Sequence, residues 1–78
     1  MQTVDINGKA FAAEQSGTDR DGRVKYTLRK IGGRGLSYDT MRNAKNPALL
    51  FCINPNSYKL PGIWLREIDG RLEQVILA

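Results

Sequence analysis

The sequence predicts an all-β fold: a small antiparallel meander of about six or seven short strands, curled into a barrel or roll. Three observations carry this expectation. Asn7-Gly8 and Asp69-Gly70 each sit between apolar-alternating stretches, and such pairs accept positive φ at both central positions of a type I′ hairpin turn. Val24, Tyr26 and Leu28 alternate with Lys25, Thr27 and Arg29, the period-two pattern of a strand with one apolar and one basic face. Glycine and proline punctuate much of the remaining chain at short intervals. The alternative is an α+β fold with one short helix at about 37–45. Either way residues 1–78 form a single domain.

In chain order, Thr3 to Ile6 and Lys9 to Ala13 form the first hairpin, with Ile6 opposite Lys9 and Val4 opposite Phe11. That register puts Val4, Ile6, Phe11 and Ala13 on one face. Ser16 to Gly22 has a loop composition; Asp19-x-Asp21-Gly22 lacks the other oxygen ligands of a calcium loop, so a solvated turn is expected. After the strand at Val24, the run Gly32-Gly33-Arg34-Gly35 suits a hairpin loop with Arg34 at its tip. Leu36 to Asn43 reads as a strand, since Tyr38, Thr40 and Met41 are moderate helix formers at best. The rival is a helix capped by Ser37 and stopped at Asn46-Pro47.

Ala48 to Ile53 has no polar position, so both faces of this strand need cover, from closure of the sheet, from the loop after it or from another subunit. In the loop at 54–62, Tyr58 and Leu60 are expected to tack the chain over the sheet. Ile63 to Ile68 and Arg71 to Leu77 make the last hairpin. There Leu65 faces Gln74, Glu67 faces Leu72 and Ile63 faces Ile76 on one side, while Trp64 faces Val75 and an Arg66–Glu73 ion pair forms on the other.

Composition excludes more than it names. The chain has no histidine, the commonest general base and metal ligand, and a single cysteine, Cys52, set among Leu50, Phe51 and Ile53 like a buried thiol. Ser37, Ser57 and Tyr58 have no neighbouring base to activate them, and Glu67, Asp69 and Glu73 read as surface charge, so no enzyme, cofactor or metal site is expected. The longest apolar run is far short of the roughly 20 residues of a spanning helix, and the N-terminus lacks the pattern of a secretory signal, which points to a complete, cytoplasmic chain.

The functional signal is charge. Residues 20–45 hold eight bases against two acids, a net of +6 in a chain whose total is +4. A shared surface carrying Lys25, Arg29, Lys30, Arg34 and Arg42, with Tyr38 to stack on a base, suits nucleic acid or another polyanion; an acidic protein surface is the other partner of that charge. The competing explanation is that these cations only keep an edge strand unpaired. The alternative function is a protein-interaction or self-assembling module, possible as a homodimer, using Trp64 or the two-sided strand around Leu50. Small size without a catalytic motif also fits a phage or mobile-element protein acting on a host component.

Overall fold

The computed structural model describes residues 2–32, 36–57 and 59–76; Arg34 and Tyr58, both singled out above, lie outside the described residues. Seven strands are formed among them: β1 (Gln2–Ile6), β2 (Lys9–Thr18), β3 (Val24–Lys30), β4 (Ser37–Arg42), β5 (Leu49–Ile53), β6 (Trp64–Ile68) and β7 (Arg71–Val75). They lie in one sheet in sequence order, each antiparallel to the next. The sheet curls until β7 returns beside β1, giving a nearly closed barrel.

Both predicted hairpins form in the predicted register, Val4 opposite Phe11 and Leu65 opposite Gln74, but the second ladder ends at Trp64–Val75, so the expected Ile63–Ile76 pair does not form and Ile76 is exposed. Asn7 (φ 52°) and Asp69 (φ 51°) take the left-handed conformation, each followed by a glycine near 80°, as a type I′ turn requires. The segment read as strand or helix is strand β4, without helix, because its side chains are needed on two faces: Thr40 packs inward while Met41 points out.

Two local expectations are corrected. β2 does not stop at Ala13 but runs to Thr18, so the segment read as a loop from Ser16 is partly strand. The longer β2 pairs with the whole of β3, absorbing a register shift between Gln15 and Gly17, where Gly17 adopts φ 136°. The second correction concerns Leu60, which does not tack its loop down and is 61% exposed.

Alternation sorts the side chains. Val4, Ile6, Phe11, Ala13, Tyr26, Leu28, Leu50, Cys52, Ile63, Leu65 and Leu72 fill the interior. Leu28, Leu50 and Leu65 lose essentially all contact with solvent, worth about 1.5–3 kcal/mol each. Of the three ways to cover β5, closure of the sheet supplies the cover for Leu50 and Cys52. The same burial pushes the Cys52 thiol up to about 12, so it stays neutral.

The β3–β4 ladder spans only Thr27–Asp39 to Arg29–Ser37. Beyond it a side chain takes over: the Thr40 hydroxyl accepts from the Tyr26 amide at 3.3 Å and donates to the Tyr26 carbonyl at 2.8 Å. Buried Thr40 therefore satisfies backbone that the neighbouring strand would otherwise serve. The strands diverge here, opening room for the side chain of Arg42.

Candidate functional site

The inward parity of β4 decides the fate of the predicted basic surface. Tyr38, Thr40 and Arg42 fall on its interior face, so Tyr38 and Arg42 do not join Lys25 and Arg29 outside. Tyr38 packs against the core, its ring centroid 5.6 Å from that of Phe11, and its cross-strand partner is Leu28 rather than Arg29. Lys25 and Arg29 do point outward and are exposed, whereas Lys30 is half-buried at the end of β3. On the same outer face, Thr27 is flanked by Glu14 on β2 and Asp39 on β4, both exposed. The expected strip of cations is thus divided by two carboxylates and loses one of its arginines to the interior.

Arg42 closes one mouth of the barrel, with 8% of its side chain exposed. Its Nη1 donates to Glu67 Oε1 and to the Pro47 carbonyl, both at 2.8 Å, and its Nη2 donates to the Val24 carbonyl at 2.6 Å. Its Nε lies 3.5 Å from Asp19 Oδ2 without a hydrogen bond. The Tyr26 hydroxyl donates to the other oxygen of Glu67 at 2.7 Å. Burial first, and Glu67 second, push that hydroxyl up to about 12.

Asp19 is held over this mouth by its own turn, with Oδ1 accepting from the amides of Asp21 and Arg23. The Arg23 amide, more than any other group, lowers its carboxyl below the ordinary value; the Asp21 amide and the Arg42 charge act in the same direction against burial. One guanidinium thus faces two carboxylates, so the cluster keeps a net charge of −1, which the quarter-exposed Asp19 can share with solvent. Such an arrangement ties β3, β4 and β6 together at this mouth.

Sequence reasoning missed this cluster by reading Glu67 as surface charge and Asp19 as a plain connector. A signal was present. The predicted register already set Glu67 on the face of Leu65, and alternation sets Arg42 on the face of Thr40. Opposite charges at the inward ends of two strands in so small a barrel can reach each other.

The opposite side of the same strands carries apolar groups. Met41 is opposite Phe51, Phe51 is opposite Trp64 and Trp64 is opposite Val75, so one row crosses the outer face of β4, β5, β6 and β7. Met41 is 52% exposed and the other three are half-buried. The rings of Phe51 and Trp64 meet edge to face with centroids 5.4 Å apart. Trp64 is therefore an outward residue, as a partner anchor must be. Leu50 is not: at 1% exposure it belongs to the core, because even-numbered residues of β5 point inward. The predicted Arg66–Glu73 pair is opposed in register but forms no ion pair; the two ion pairs among the described residues both belong to Arg42.

Among the described residues no three potential metal-binding side chains gather, and no helix is long and apolar enough to cross a membrane. No family model, curated protein or solved structure matches this chain. Function has to be read from geometry.

Proposed function

We propose that the chain is a non-catalytic interaction module that docks a protein through the outer face of β4 to β7, with Trp64 as its anchor. The observation that carries this reading is the uncharged row Met41–Phe51–Trp64–Val75, four strands wide and turned to solvent. Aromatic residues at the centre of an exposed apolar strip are the usual source of binding energy at protein interfaces. A second copy of the chain is the partner this favours, since a two-fold dimer needs only one patch that packs on itself.

Sedimentation between about 1 and 200 µM, a range around ordinary micromolar affinities, tests it together with iodide quenching of Trp64. Self-association that shields Trp64, and that Trp64→Lys abolishes while the melting temperature falls only by the several degrees its packing on Phe51 is worth, is the expected result. A monomer throughout, with Trp64 open to iodide, would overturn the self-docking reading.

Contact with nucleic acid or another polyanion is the second reading, supported by Arg29 and Lys30, which line one shallow hollow with Thr27, Ser37 and Asp39. Two phosphate contacts would give log K against log salt a slope of about −2. A flat slope, or no binding to a single-stranded oligonucleotide at low salt, removes this reading.

A further inference from the structure

The first and last strands of the barrel face each other without pairing. Every neighbouring pair in the sheet is antiparallel, so in a seven-stranded meander β1 and β7 point the same way. Side-chain bonds across the gap agree. Gln2 Nε2 donates to the Gly70 carbonyl and Gln2 Oε1 accepts from the Leu72 amide, while Asn7, in the turn just beyond the far end of β1, bonds the side chain of Gln74, further along β7. No ladder joins the two strands. The barrel is clasped there by two glutamine side chains, one near each end.

Hairpin geometry says which backbone groups face this seam. The two-residue turns make Ile6–Lys9 and Ile68–Arg71 the bonded pairs next to each turn, so Val4 and Ile6 bond β2 while Thr3 and Asp5 turn their amides and carbonyls the other way. On β7 the seam-facing residues are Leu72 and Gln74. The glutamine bonds confirm this parity, since the Leu72 amide and the Asn7 amide are the ones they use. The backbones of Thr3, Asp5 and Gln74 are thus presented along a groove lined by Thr3, Val4, Asp5, Leu72, Glu73 and Gln74.

We propose that this seam accepts an extended segment of a partner protein as an eighth strand, running antiparallel to both β1 and β7. Strand addition to an open edge is an established mode of peptide recognition, and parity makes this edge unusually suited to it: one more strand turns an odd meander into an even, wholly antiparallel barrel. The incoming backbone exchanges the two glutamine clasps for ladder bonds on both sides, and β1 and β7, which approach within 8 Å, part to about 9.6 Å, two strand spacings, to admit it.

The groove also states the chemistry of its occupant. Inward side chains of the new strand meet Val4, Ile6 and Leu72, all buried in an already filled core, and must be small and apolar. Outward side chains lie between Asp5 and Glu73, both exposed and neither in an ion pair among the described residues, and are favoured as Lys or Arg. With β1 and β7 each five residues long, the fitting segment is about five residues alternating small apolar with basic. This inference stands on topology and not on the outer apolar row, so the two fail separately.

The probe is a capped seven-residue peptide alternating lysine and valine, titrated into the whole chain while amide hydrogen exchange is followed by NMR. Exchange at Thr3, Asp5 and Gln74 should slow about tenfold or more at saturation. The same peptide with alternate backbone nitrogens methylated should leave it unchanged. Asp5→Lys with Glu73→Lys, at exposed positions, should weaken binding roughly tenfold at an unaltered melting temperature. Should that double variant not fold, the methylated peptide alone decides. Unchanged exchange at all three amides with millimolar peptide, or equal protection by the methylated peptide, overturns the proposal.

Discussion

Arg29 on β3 and Arg42 on β4 come from the same basic stretch, thirteen positions apart, and have opposite fates. Arg29 sits at an odd position of a strand whose even residues face the core, and it stays in water. Arg42 sits at an even position of a strand whose even residues also face the core, and it is driven inside, where Glu67, Asp19 and two backbone carbonyls receive it. Net charge counts the two alike. What separates them is parity within the strand, together with the splaying of β3 from β4 that Thr40 makes possible.

Replacing the two residues should exaggerate that contrast. Arg42→Ala leaves Glu67 without its counter-charge and the Val24 and Pro47 carbonyls unserved, a loss of about 2–3 kcal/mol, short of the figure for a fully buried pair because the Glu67 side chain keeps 21% of its surface in water. In a domain this small such a loss takes a large share of the margin of stability. Arg29→Ala should change stability by no more than about 0.5 kcal/mol. Urea titrations of the two variants check this, and similar midpoints would sink the account of Arg42 as the plug of the barrel. Adding Glu67→Leu to Arg42→Met should recover part of what Arg42→Met alone loses, since of the two carboxylates only the partly exposed Asp19 is then left without its counter-charge.

The strands themselves were legible in the sequence because each signal was local. Asn7-Gly8 and Asp69-Gly70 determine their own registers, and period two from Val24 to Arg29 needs nothing beyond the strand that carries it. The far end of β2 was not legible, since its pairing with Val24 is decided by a partner strand and by a bulge at Gly17 that no alternation announces. The candidate surfaces show the same division. Trp64 could be assigned to the outer face from its hairpin register. Its neighbours Phe51 and Met41 arrive from β5 and β4 through pairings that turn signals do not specify. Arg42 was misplaced because charge was weighed before direction: once Thr40 is taken as inward, Arg42 must follow.

The smallest expected effect sharpens the comparison at its edge, where Asp19 covers the Arg42 mouth. Its carboxyl is held below the ordinary value of 3.8, chiefly by the Arg23 amide and further by the Asp21 amide and Arg42. A carboxyl whose folded pKa is depressed adds stability above its unfolded pKa, and that stability drains as pH falls from the unfolded value through the folded one. Asp19→Asn keeps an oxygen for the two turn amides but removes the charge, so the turn should persist while the acid-sensitive part of its stability disappears. Urea titrations from pH 7 down to about 2.5 should show the native chain slightly more stable than the variant at neutral pH, with the gap closing below pH 4. Parallel curves over the whole range would mean that neither the turn amides nor Arg42 favours the charged carboxyl, and that Asp19 is kept for hydrogen-bond geometry that asparagine reproduces equally well.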